Sequence, residues 1–259
     1  MITELVPKSA GIELELGRKR SELAELEAEL SQEELELLTL RTDLLDFQTA
    51  YLKALGPLYA ELDRIEAENA EFRARLRPGD CQARRRAEQA RAKAEDSARA
   101  AGQFRDTDPE TRTKPTEALK KLYRDFAKRF HPDLATEEAE RNRLEKLMAE
   151  ANQAYAGGDE ARLRQLAEQG EKAPETVRGN GPAAELERVL RKIAQVRERL
   201  REIADETAEL KGSSLFQLWQ RAQDASEHGL NLIREMAGFL NREIAKASRQ
   251  TARFKTGRA

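Results

Sequence analysis

The sequence predicts an all-α protein, in which a compact helical hairpin is flanked by long coiled-coil helices and a C-terminal helical hairpin. Charged residues make up 36% of the chain and aromatic residues only 5%, a balance that favours long exposed helices over a sheet. An apolar residue recurs at every seventh position through the N-terminal third. Near the C-terminus, apolar residues recur at alternating steps of about three and four, which is typical of amphipathic helices.

The seven-residue repeat spans positions 16 to 72 and consists of Leu16, Leu23, Leu30, Leu37, Leu44, Tyr51, Leu58, Ile65 and Phe72. With charged residues between them, these positions are typical of a coiled coil, which needs a partner helix. That partner is either a second copy, giving a homodimer through residues 12–54, or the C-terminal hairpin of the same chain, on which the N-terminal helix would fold back. A kink or break is expected at Gly56-Pro57, because proline removes a helical hydrogen bond and clashes one turn back.

Composition and turn residues divide the chain into six segments. Residues 79–108 are rich in Ala and Arg but have no apolar stripe and no recognised nucleic-acid-binding fold, which favours a solvated helical tether over a nucleic-acid-binding surface. Pro and Gly mark residues 171–182 as a linker. The expected segments are an N-terminal coiled coil (1–78), a basic tether (79–108), a compact domain (109–170), a linker (171–182), an antiparallel helical hairpin (183–250) and a flexible basic tail (251–259).

The compact segment carries the candidate site. Its first helix has an apolar face made by Leu119, Leu122, Tyr123, Phe126 and Phe130. The helix must end at His131, because a residue before proline is pushed out of the α region. Lys120, Arg124 and Lys128, with Lys121 and Arg129 beside them, form a cationic stripe on the exposed side.

A second helix over about 137–156 packs antiparallel to the first, with Leu144, Leu147, Met148, Ala151 and Tyr155 facing inward. A third helix begins at Asp159, a good N-cap. The loop between the first two helices, His131-Pro132-Asp133, is expected at the tip of the hairpin, with its imidazole and carboxylate pointing outward. If the rest of the molecule occluded this tip, a partner-binding role would lose its basis.

Enzymatic and metal-binding roles lack the residues that they need. His131 and Asp133 have no nucleophile motif or phosphate loop beside them, and the second of the two histidines, His228, is expected to be a polar helix residue. The single cysteine, Cys81, excludes a cysteine zinc site. We therefore expect no catalysis, cofactor or metal. No apolar run is long enough for a membrane span and no signal peptide pattern is present, so we expect a cytoplasmic protein.

The compact segment resembles the J domain of DnaJ-like co-chaperones. Residues 120–130 read Lys-Lys-Leu-Tyr-Arg-Asp-Phe-Ala-Lys-Arg-Phe and run into His-Pro-Asp, and residues 152–155 read Asn-Gln-Ala-Tyr. The likeness covers about residues 114–156. It implies docking on a DnaK-type ATPase chaperone, stimulation of its ATP hydrolysis, and capture of protein clients. The docking residues that it implies are His131, Pro132, Asp133, Lys120, Lys121, Tyr123, Arg124, Lys128 and Arg129; Tyr123 fits the core equally well.

The chain also departs from the J-domain pattern. Asp125 stands where a basic residue is usual, and the usual first-helix motif is missing from residues 106–116, so that helix is absent, shortened or supplied by another part of the chain. With no Gly/Phe-rich or cysteine-rich module, the chain resembles the third class of J proteins. The alternative function is a coiled-coil scaffold that carries a non-stimulatory J-like segment.

Overall fold

The structure, a computed structural model, describes residues 8–103, 115–135, 137–171 and 181–256. All regular secondary structure in these ranges is helical, which confirms the all-α prediction. The helices are α1 (Lys8–Leu76), α2 (Cys81–Gln103), α3 (Glu117–Phe130), α4 (Glu138–Ala156), α5 (Glu160–Glu171), α6 (Pro182–Gly212), α7 (Ser214–Glu227) and α8 (Leu232–Lys255), with a 3-10 turn at Pro132–Leu134. The predicted linker lies mostly outside the described residues. Of the predicted flexible tail, residues 251–255 instead form the end of α8, where Thr251 is buried.

The chain forms two compact units. Unit 1 contains residues 1–42 and 111–212, and unit 2 contains residues 43–110 and 213–259. The chain therefore passes from unit 1 to unit 2 within α1. The predicted break at Gly56-Pro57 is wrong, because α1 continues through Pro57; a bend of its axis there stays a prediction.

In unit 1, α1 pairs with α6. Leu16, Leu23, Leu30 and Leu37 share one buried apolar cluster, which we call the seam, with Val189, Ile193, Val196 and Ile203. Ion pairs join Arg20 to Glu185 and Arg41 to Glu206. Because the partner numbers rise together along both helices, α1 and α6 run parallel. The fold-back alternative for the first coiled coil is thus the one found, and α6 covers the part of the apolar stripe that a homodimer would need.

The second buried cluster of unit 1 lies where α3, α4 and α5 pack together. It contains the predicted inward faces of α3 and α4, with Leu122 and Leu147 only partly buried. Thr116 Oγ1 caps α3 by accepting from Leu119 N–H at 3.1 Å. Asp159 Oδ1 accepts from Arg162 N–H at 2.8 Å, which confirms the predicted start of α5. Leu35 of α1 joins this cluster, so another part of the chain does pack against the hairpin.

Unit 2 corrects two predictions. The solvated tether is wrong: α2 packs on the unit-2 part of α1, where the buried Asp63 carboxylate accepts from Lys93 Nζ at 2.8 Å and from Ser97 Oγ at 2.5 Å. The antiparallel hairpin predicted over residues 183–250 is also wrong: that range holds three helices, and Gly229, with φ +73°, separates α7 from α8. These two helices pair with each other, whereas α6 belongs to unit 1, so residues 183–250 do not form one hairpin.

Truncating a seam leucine tests the α1–α6 pairing. We expect Leu30→Ala to lower the free energy of unfolding by about 2–5 kcal/mol, because Leu30 is 2% exposed and its loss leaves a cavity. The matched control is Leu14→Ala on the same helix, since Leu14 is 61% exposed and should change the value by less than about 0.5 kcal/mol. Urea unfolding followed by circular dichroism measures both. Equal losses would contradict the seam.

Substitution by alanine is expected to have opposite effects on stability at two of the glycines. A Cβ on Gly170 of α5 would lie 2.5 Å from Cε1 of Phe130, so Gly170→Ala should destabilise the chain by about 1–3 kcal/mol. A Cβ on Gly17 of α1 meets no heavy atom within 4 Å, so Gly17→Ala should stabilise by up to about 1 kcal/mol through better helix propensity. The same urea titration checks both signs. A stabilised Gly170→Ala would contradict the packing of α5 on α3.

Candidate partner-binding site at the His-Pro-Asp loop

The His-Pro-Asp loop, residues 131–133, is a compact turn directly after α3. His131 leaves the helix with φ −67° and ψ 134°, as its position before proline requires. Leu134 N–H then donates to His131 O and Ala135 N–H to Pro132 O, both at 3.0 Å. Asp133 N–H donates to Nδ1 of His131 at 3.2 Å. The turn therefore holds the imidazole against its own backbone.

The His131 side chain is buried. It is 4% exposed, and its Nε2 lies 3.1 Å from Oε1 of Glu34 on α1. Because Nδ1 already accepts from Asp133 N–H, Nε2 carries the hydrogen and donates it to Glu34. The Asp133 carboxylate lies on the other side of the ring, with Oδ2 at 3.5 Å from Nδ1. Both ring nitrogens of His131 are thus engaged within the chain.

Glu34 binds His131 and Arg199 of α6 through the same oxygen. Arg199 Nε donates to Glu34 Oε1 at 2.8 Å, and Arg199 Nη1 reaches Glu202 at 3.1 Å and Glu206 at 3.2 Å. Burial by itself would raise the pKa of Glu34, but the hydrogen bonds from His131 and Arg199 outweigh it, so the pKa is lowered. The carboxylate is therefore held in its charged form.

Further contacts surround the loop. Leu134 packs on the seam, and Ala135 is buried in the cluster of α3, α4 and α5. With its amide nitrogen turned towards the loop, Gln195 of α6 donates to Asp133 O at 3.0 Å. Burial raises the pKa of the Asp133 carboxyl. The expectation that the imidazole points outward is therefore wrong, because α1 and α6 cover His131. Pro132 and Asp133 remain partly exposed, so the tip as a whole is not occluded.

The cationic stripe is only partly open. Lys121, Lys128 and Arg129 are exposed. Arg124 is partly buried, and its Nη1 donates to Oε1 of Gln32 on α1 at 3.1 Å. Lys120 pairs with Glu117 at 2.9 Å. One side of α3 thus faces α1, while the exposed cations remain accessible.

Tyr123 belongs to the core, so its alternative assignment to the docking face is wrong. Its side chain is fully buried, and its hydroxyl donates to Oδ1 of Asn152 at 2.7 Å. Its ring centroid lies 5.0 Å from that of Tyr155. The two halves of the quoted motif, on α3 and on α4, therefore meet inside the hairpin.

Glu34 and Arg199 are the site residues that the sequence analysis missed. With Leu30 and Leu37 at heptad position a, Glu34 occupies position e; with Ile193 and Leu200 at a, Arg199 occupies position g. Pairs between g and e are the usual ion pairs across a coiled coil. This signal could have identified the Glu34–Arg199 pair. It carries no information about His131.

Within the described ranges, no group of three or more His, Cys, Asp or Glu side chains is placed to hold a metal ion. No helix in the same ranges is long and apolar enough to cross a membrane. No family model, curated protein or solved structure matches the chain. The J-domain likeness therefore rests on residues 120–133 and 152–155.

The charge on Glu34 predicts a pH-dependent stability difference. Because folding lowers the pKa of Glu34, its charged form stabilises the folded state above the pKa of the unfolded chain, and this contribution disappears as the pH falls through the lower folded value. We expect Glu34→Gln to be less stable than wild type by about 1–3 kcal/mol at pH 5, where wild type keeps its charged hydrogen bonds.

The difference should shrink as the pH falls below about 4.3, the ordinary pKa of glutamate. Urea titrations of both proteins between pH 5 and pH 3 measure it. The raised pKa of Asp133 is common to both proteins and cancels in the comparison. A difference that stays constant over this range would contradict a charged Glu34 in the folded state.

Proposed function

We propose that the chain is a J-domain co-chaperone that docks on a DnaK-type chaperone and stimulates its ATP hydrolysis. One observation carries the proposal: Tyr123 packs on Tyr155 and bonds Asn152, so the two halves of the motif form one hairpin with the His-Pro-Asp loop at its connection. A chance match of two short stretches would not require them to pack together.

The exposed cations of α3 supply the surface for the encounter. Lys121, Lys128 and Arg129 lie on the accessible side of the helix that leads into the loop. Such a cluster steers association with an acidic patch and raises the on-rate, and salt screens this effect. His131, Pro132 and Asp133 would then supply the specific contacts. Protein clients and a cytoplasmic location, where a single exposed Cys81 stays reduced, belong to the same proposal.

The second candidate is a coiled-coil scaffold in which the loop only fastens the hairpin to α1 and α6. The burial of His131 favours it. A structural fastening does not, however, need a histidine, a carboxylate and a guanidinium, because apolar residues of similar volume usually serve as well or better in a buried contact. We therefore prefer the co-chaperone.

Single-turnover ATP hydrolysis by a DnaK-type chaperone tests the proposal. The full chain is titrated as wild type and as His131→Gln, and we expect stimulation only from wild type. His228→Gln is the matched control, because His228 is exposed at the end of α7 in unit 2 and should stimulate like wild type. The titration must extend to high concentration. If His131 is buried in most molecules at any moment, the apparent affinity for the chaperone is weaker, but binding is not abolished.

Equal rates for wild type and His131→Gln at every concentration would favour the scaffold. Equal loss in His131→Gln and His228→Gln would mean that the effect is not specific to the loop.

A further inference from the structure

We infer that Glu34 and Arg199 form a latch that keeps the His-Pro-Asp loop closed, so that α1 and α6 regulate access of the chaperone to it. This inference rests on the proposed function and adds its regulation. The latch consists of the hydrogen bonds from His131 Nε2 and Arg199 Nε to Oε1 of Glu34, at 3.1 and 2.8 Å.

In the closed loop, both ring nitrogens of His131 are already hydrogen-bonded and are not available to a partner. Nε2 of His131 donates to Glu34, Nδ1 accepts from the Asp133 backbone, and the His131 side chain is 4% exposed. The Asp133 side chain is 28% exposed. A partner that binds the imidazole must first break its hydrogen bond to Glu34.

The latch couples the loop to the coiled coil. His131 and Arg199 share one oxygen of Glu34, and Leu134, next to the loop, packs on the seam. Moving α6 away from α1 removes Arg199 from the carboxylate and uncovers Leu134. Opening of the seam and release of the loop are therefore expected to occur together.

The loop can open without unfolding of the hairpin. The seam and the cluster of α3, α4 and α5 are separate buried clusters. From α1, Leu35 is buried in the hairpin cluster and Leu38 packs against it, while Tyr123, Phe126 and Tyr155 are held by α3 and α4 themselves. The contact between loop and latch is polar, so water can replace it on opening. Together they describe a two-state element whose open form keeps the hairpin core.

Chemical modification of histidine tests the latch without a chaperone. Diethyl pyrocarbonate reacts with accessible imidazoles, and the chain has two histidines, of which the exposed His228 is an internal reference. In wild type we expect fast modification of His228 and slow modification of His131. Glu34→Ala should raise the His131 rate roughly tenfold or more, the change that loss of one charge-assisted hydrogen bond brings.

Two further variants control for fold and charge. Glu29→Ala removes an exposed carboxylate five residues earlier on α1 and should leave the His131 rate unchanged. Glu34→Gln keeps an acceptor oxygen and the side-chain volume, so it should give an intermediate His131 rate. It replaces Glu34→Ala in the comparison if circular dichroism shows that Glu34→Ala has lost helicity. Equal His131 rates in wild type and both Glu34 variants would overturn the latch.

ATP hydrolysis by a DnaK-type chaperone separates the latch from the function. Glu34→Ala should reach half-maximal stimulation at a lower concentration than wild type, by about the factor that the modification rate rises, and Glu34→Ala combined with His131→Gln should not stimulate. If wild type stimulates fully and Glu34→Ala reaches half-maximal stimulation at the same concentration as wild type, the latch is overturned and the co-chaperone function stands. A loop that opens in the modification assay without stimulation by any variant would overturn the co-chaperone function and, with it, the regulatory role.

Discussion

The buried carboxylate of Glu34 is the contact on which the rest of the site depends. Burying a charge is unfavourable unless it is paired and hydrogen-bonded, and here one oxygen receives both the His131 imidazole and the Arg199 guanidinium. The loop, α1 and α6 are far apart in sequence, and their polar side chains hydrogen-bond to one another at this one oxygen. Loss of any one of them leaves the other two with weaker partners, so α1, α6 and the loop are energetically coupled.

The parallel course of α1 and α6 explains why the hairpin lies beside them. The pairs of Arg20 with Glu185, Glu34 with Arg199 and Arg41 with Glu206 all join residues 165 positions apart. Two parallel helices cannot be joined by a short turn, so a long stretch of chain must lie between them. The α3–α4 hairpin lies within that stretch, and Leu134, directly after the loop, completes the apolar packing of the seam.

Local patterns predicted most of the hairpin, whereas tertiary neighbours could not be predicted. The buried faces of α3 and α4, the helix end at His131 and the cap at Asp159 follow from spacing and capping within a few residues. The heptad repeat required a partner for α1 but did not identify α6, and it gave no sign that α2 would bury Asp63. Nor does anything in the sequence of α3 indicate which helix would cover its loop.

In the proposed function, the two parts of the docking surface act in sequence. When the loop is closed, the side chains of Lys121, Lys128 and Arg129 are exposed to solvent, whereas His131 is hydrogen-bonded to Glu34. A chaperone with an acidic patch can therefore be captured by long-range attraction before any contact with the imidazole exists. Release of His131 must follow, and because the chaperone then offers His131 a replacement partner, binding itself favours the open state. Ionic strength should thus govern the encounter, while the strength of the Glu34 contact governs activation.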